Sequence, residues 1–156
     1  MNAIELLKQD HKVVKKLLAE ITETSDRASK KRNELLGKIE LELAVHTAIE
    51  EEILYPALKA AGNKEEAKMF YEAKEEHRAV DSLVLPDLKQ TQPDTQQFAG
   101  RLKVLKELLE HHIEEEETEM FPDAQKILGK AKLEALGQQM EARKKELKSS
   151  LQRKAA

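Results

Sequence analysis

The chain has no cysteine and no tryptophan, five aromatic residues in all, five glycines and four prolines. Without cysteine there is no disulfide framework, zinc-thiolate site, iron-sulfur cluster or thiol nucleophile. Few aromatics and a formal net charge of −3 leave neither stacking platforms nor a basic field for nucleic acid, so that class of partner is set aside. No apolar run approaches the ~18 residues of a membrane span, and the opening MNAIELLKQDHK lacks the apolar core of a signal peptide. A soluble, cytoplasmic protein is expected. What remains, 37% charged residues among abundant Leu, Ile, Val and Ala, is the composition of packed helices. A length of 156 residues suffices for a single domain with a real core.

Apolar residues recur three and four apart, as a buried helical face requires. Helix A is predicted from about Asn2 to Glu23 with Ile4, Leu7, Val14, Leu18 and Ile21 inward, and His11 falls in that stripe. The segment TSDRAS (Thr24 to Ser29) supplies turn and N-cap residues. Helix B follows with Leu36, Ile39, Leu43, His46, Glu50 and Leu54 in one register. Pro56 should end or kink it, with Gly62-Asn63 as its C-terminal cap. Helix C, from about Lys64, carries Phe70, Ala73, His77, Val80 and Val84 until Pro86 disturbs it. Residues Lys89 to Gln97 read as a polar loop. Helix D then presents Leu102, Leu105, Leu109, His112, Glu116 and Met120. After Gly129 a fifth amphipathic segment has Leu133, Leu136, Met140, Leu147 and Leu151 but no histidine.

The chain repeats itself. HTAIEEEILYP, His46 to Pro56, returns as HIEEEETEMFP, His112 to Pro122, an offset of 66 residues (112 minus 46). The same offset carries His11 to His77, Val14 to Val80, Leu18 to Val84, Leu36 to Leu102, Ile39 to Leu105, Leu43 to Leu109 and Glu50 to Glu116, and Asp10 before His11 is answered by Glu76 before His77. The predicted fold is therefore all-α: two related αα-hairpins forming an up-down-up-down four-helix bundle over residues 1–129, followed by an amphipathic helix over 130–156.

Each hairpin offers one lone histidine and one His-x-x-x-Glu pair, and residues four apart share a helix face. A buried ionised glutamate costs several kcal/mol unless its charge is compensated, yet these stripes carry no Lys or Arg. Metal cations would compensate it, and imidazole with carboxylate suits iron, manganese or zinc. A single inward histidine is more often a hydrogen-bonded core residue. Four of them, doubled with both glutamates by the repeat, favour a metal site. Of the acidic runs, helical phase selects Glu50 and Glu116 and leaves Glu51 and Glu52 as surface charge. His111, turned ~100° from His112, is at most a neighbour of the site. Tyr55 matches Phe121 and reads as packing; nothing in the spacing requires Tyr71.

Asp10-His11, His46-x-x-x-Glu50 before Pro56, Glu76-His77 and His112-x-x-x-Glu116 before Pro122 together resemble the hemerythrin-like proteins of the HHE cation-binding type. The resemblance covers about residues 1–129. It implies a non-haem di-iron centre with an oxygen bridge, His11 and His46 on one iron, His77 and His112 on the other, and Glu50 and Glu116 bridging, with manganese and zinc ranking behind iron. Respiratory hemerythrins place a further histidine where this chain has Ala73, and their last carboxylate comes five residues after its histidine rather than four. The four-histidine, two-glutamate pattern implies open positions on both irons. Binding or reduction of dioxygen, nitric oxide or peroxide is the expected function. The alternatives are an iron- or oxygen-responsive regulatory module signalling to a partner through its C-terminal helix, and iron storage or delivery. The chain is expected to be a monomer or homodimer.

Overall fold

Asn2 opens the first helix as its cap: its side-chain oxygen accepts from the Glu5 N–H at 2.9 Å, and the Glu5 carboxylate accepts from the Asn2 N–H at 3.0 Å. This reciprocal pairing satisfies two donors that a helix start leaves free. The computed structural model describes residues 1–155, all-helical apart from short connections. Helix α1 is Ala3–Glu23. Helix α2 is a rod over 29–61, made of Ser29–Ile49, a π turn Glu50–Leu54 and Tyr55–Ala61. Helix α3 spans 64–89 in the same way, with its π turn at Val80–Val84, and α4 spans 96–128 with one at Glu116–Met120. At Gly129 the chain takes φ 77°, a conformation that side chains with a Cβ avoid, and α5 runs over 130–155.

The disturbance expected at Pro56 and Pro86 is a widened turn and not a helix end, and the expected cap residues and loop length are corrected. A proline removes the donor that would bond four residues back. The residue before it instead bonds five back, Tyr55 to Glu50, Leu85 to Val80 and Phe121 to Glu116, and this wider winding carries each helix through its proline. Ala28, not a Ser or Asp, precedes α2 and makes no side-chain cap. Gly62 closes α2, whereas Asn63 forms a capping box with Glu66 that starts α3. The loop before α4 is also shorter than expected, because Thr95 caps that helix by accepting from the Phe98 N–H.

Short loops make sequential helices antiparallel neighbours. Two apolar cores result. One holds Val14, Leu18, Ile21, Leu36, Ile39, Leu43, Leu102, Leu105 and Leu109. The other holds Ile4, Leu7, Ile49, Leu54, Tyr55, Met120 and Phe121 together with Leu133, Leu136 and Met140 of α5. The fifth segment thus packs on the bundle. Gly137 lets it come close: a Cβ there would run into the Met1 carbonyl and the backbone of Ala3. No described helix is long and apolar enough to cross a membrane.

Candidate metal centre

Between the two cores lies a polar layer. His11, His46, Glu50, His77, His112 and Glu116 are all buried, none more than 7% exposed. Helical phase alone turns them inward, and the antiparallel arrangement brings them to one level. Glu50 Oε1 lies 2.9 Å from His46 Nε2 and 3.4 Å from His77 Nε2. Its repeat counterpart, Glu116 Oε1, lies 3.0 Å from His112 Nε2 and 3.3 Å from His11 Nε2. Each glutamate therefore reaches a histidine of both hairpins. The His77 and His112 Nε2 atoms face each other at 3.1 Å.

The other ring nitrogens are all held by carboxylates. His11 Nδ1 lies 2.7 Å from Glu117, His46 Nδ1 3.1 Å from Asp10, His77 Nδ1 2.8 Å from Glu51 and His112 Nδ1 2.8 Å from Glu76. An ionised carboxylate only accepts, so Nδ1 carries the proton and donates, which leaves Nε2 directed at the centre of the layer. The four pairs obey the repeat. Asp10 beside His11 holds His46, as Glu76 beside His77 holds His112; Glu51 beside Glu50 holds His77, as Glu117 beside Glu116 holds His11.

Glu51 is thus no mere surface charge, and its assignment on helical phase is corrected. The signal was present, because Glu51 and Glu117 are glutamate in both copies. Glu52 does lie at the surface, where Arg143 of α5 donates to it at 2.7 and 3.1 Å. Tyr55 packs as expected, its ring stacked on His77 at 5.6 Å just as Phe121 stacks on His11 at 5.7 Å. Its hydroxyl does more: it donates towards Glu116 at 2.9 Å and Glu50 at 3.2 Å, and sits 3.4 Å from His77 Nε2. Tyr71 is exposed and accepts from Lys59, outside the layer. His111 is exposed, 3.1 Å from Glu115 and 3.7 Å from Glu76.

The layer calls for positive charge. His11 Nε2, His46 Nε2, Glu50 Oε1 and Glu116 Oε1 are buried without a hydrogen-bond partner, although native interiors pair nearly all such atoms. The short N···O approaches among them lack hydrogen-bond alignment. Burial disfavours the His46 imidazolium, but the nearby Glu50 charge and the hydrogen bond to Asp10 outweigh it and push its pKa up to about 10. His77 and His112 are raised in the same way against burial, chiefly by Glu50 and Glu116 respectively. Glu50, despite burial, is held well below its usual range by His46. Two groups of converging donor atoms, His11 with His46 and Glu116, and His77 with His112 and Glu50, each fall within 4.8 Å. They fit metal cations in donor type and in the four orphaned atoms.

A helical bundle with a buried histidine-carboxylate layer capable of holding cations defines the class. The family model for the hemerythrin HHE cation binding domain matches residues 2–124, and the chain belongs to that family. It is 34% identical over 152 residues to the uncharacterized protein Rv2633c of Mycobacterium tuberculosis, covering 96% of this chain and 89% of that one. The crystal structure of an HHE cation binding domain-containing protein from Mycobacterium kansasii, an Rv2633c homolog, matches with a TM-score of 0.84 at 34% identity, over 96% and 89% of the two chains. A DNA nickase of Nostoc sp. is 24% identical over 97% of this chain but only 41% of its own length.

Proposed function

We propose that the chain holds two iron ions in this layer and binds or reduces a small ligand, dioxygen, nitric oxide or peroxide, beside them. In this reading His11 and His46 would hold one ion and His77 and His112 the other, with Glu50 and Glu116 supplying carboxylate ligands between them. The observation that carries it is the set of four buried, unpartnered nitrogen and oxygen atoms facing one another with no Lys or Arg among them. Iron when bound supplies the redox change and the ligand positions. The chain's own residues orient, shield and donate. Asp10, Glu51, Glu76 and Glu117 hold the imidazoles by Nδ1 so that Nε2 points inward. A cavity of about 40 Å³ abuts the four histidines; its other walls are Val14, Leu43, Val80, Leu109 and Ile113 with Thr47, Glu76, Asp81 and Leu108. That is room for a diatomic or peroxide against a mostly apolar wall. The Tyr55 hydroxyl is the neutral donor aimed at both glutamates.

Protein expressed in iron-replete cells should contain about two irons per chain, as the paired hairpins require, and His77→Ala should lose most of it. Near-zero iron in the unmutated protein would sink the reading. Stopped-flow spectroscopy with oxygen, nitric oxide and peroxide in turn separates stable binding from turnover. A second reading, a regulatory module that passes the state of the site to a partner, is favoured by one contact: Lys144 of α5 donates to Asp10, whose other oxygen holds His46. Hydrogen exchange in 130–155 should then slow on iron loading; identical exchange with and without iron speaks against it.

A further inference from the structure

The repeat is broken at one place beside the site. Where the first hairpin has Val45 and Ile49, both buried, the second has His111 and Glu115 on the outside of α4. The acid they flank differs in its surroundings as well. Asp10 is engaged by Lys144; its counterpart Glu76, among the described residues, has no Lys or Arg within ion-pairing distance, and neither has Glu115. Nε2 of His111 and one oxygen each of Glu76 and Glu115 lie within 4.8 Å of one another, with His111 62% exposed to solvent. One imidazole and two carboxylates is a donor set for a divalent first-row ion that keeps part of its water.

A cavity of about 30 Å³ shares Glu76 and Glu115 with this cluster, while His111 stands beside it and not in its wall. Glu72 and Glu119 stand at its exposed rim, Glu76 and Glu115 along it, and buried His112 and Glu116 at its inner end. Beyond that end the unpartnered Glu116 Oε1 faces His112 Nε2 and His11 Nε2 in the buried layer. Among the described residues no Lys or Arg lines the passage, and Met69, Ala73 and Met120 form its apolar side. Glu76 links the two ends directly, with one oxygen at His111 and the other on His112 Nδ1.

We infer that His111, Glu76 and Glu115 form an outer divalent-cation site at the mouth of an acid-lined passage through which metal ions reach the buried centre. The inference rests on the reading of that centre as a metal site. A run of carboxylates in a narrow cleft concentrates cations and raises their arrival rate by about 10- to 1000-fold. An ion held by His111 and the two glutamates exchanges outer ligands for inner ones along the carboxylate side of the passage, past Glu76 and Glu115. The same three side chains would otherwise be a surface i, i+4 pair beside an acid.

The test uses the metal-free full chain and Mn²⁺ as a redox-silent probe, comparing wild type with His111→Ala/Glu115→Gln. Neither position belongs to the six buried donors or to the carboxylates that hold them. Equilibrium dialysis should give about two tight ions and one weak ion in wild type, and the double variant should keep the tight ions and lose the weak one. Rapid-mixing electron paramagnetic resonance should show the variant filling its tight sites about tenfold more slowly. Three ions in the variant, or a filling rate within about twofold of wild type, overturns the inference. If no tight Mn²⁺ binds to either protein while the variant still loses a weak ion, the outer site stands and its role as a mouth falls with the buried-centre reading. If no ion binds to either, both fail.

Discussion

Metal removal should turn the histidine layer into a pH-dependent weakness, with a sign that the geometry dictates. In the metal-free chain the pKa of His46 is raised from 6.5 to about 10, against burial, by the Glu50 charge and the hydrogen bond of Asp10. A group whose folded pKa exceeds its unfolded value contributes stability that is fully present below the unfolded pKa and lost as pH rises through the folded one. Between about pH 6 and pH 9 His46 alone should therefore lose about 3 kcal/mol, and His77 and His112, also raised, act in the same direction. Glu50, Asp10 and Glu76 are lowered; their contribution is lost only as pH falls through their folded values and is constant over this window. For a chain of this size the drop corresponds to a fall in Tm of roughly 6–12 °C. If the layer holds iron as proposed, the ions would take the place of the Nε2 protons, and metal binding strengthens as competing protons leave, so Tm should hold or rise over the same interval. Calorimetric scans of chelator-stripped and iron-loaded protein at the two pH values make the comparison. A metal-free Tm that is level or rising with pH would refute the reasoning.

Three further outcomes follow from named contacts. Glu51→Gln removes the carboxylate that holds His77 and should weaken iron binding about 10- to 100-fold. Glu52→Gln, which breaks only an exposed pair with Arg143, should leave affinity within about twofold; equal effects in an iron-competition assay would mean that Glu51 is surface charge after all. Tyr55→Phe keeps the ring on His77 but deletes the donor to two buried carboxylates, and should cost the metal-free chain about 2 kcal/mol in urea unfolding, with a loss under about 0.5 kcal/mol counting against it. Gly137→Ala places a methyl against the backbone of residues 1–3 and should destabilise by about 1–3 kcal/mol through overpacking. An unchanged denaturation midpoint would show that α5 is not seated there.

The sequence by itself determined the helices, the duplicated hairpin and the inward placement of His11, His46, Glu50, His77, His112 and Glu116. It could do so because helical phase is local: a residue's face follows from its spacing to its own neighbours, and a repeat tests that face twice. Stripes such as Leu36, Ile39, Leu43 and Leu102, Leu105, Leu109 are buried as spacing requires. Only the tertiary structure decided what crosses between helices. Glu51 stands about 100° from the ligand-type face and was read as solvated for that reason. A flank position nonetheless reaches the next helix, and there it finds His77. The seat of the Tyr55 hydroxyl between glutamates from two hairpins, the contact of Lys144 with Asp10, and the π turns that carry helices through Pro56, Pro86 and Pro122 likewise depend on interhelical distance and on hydrogen bonding that spacing does not encode. Six inward side chains were legible from periodicity. Which carboxylate aims which histidine was decided only when the two hairpins faced each other.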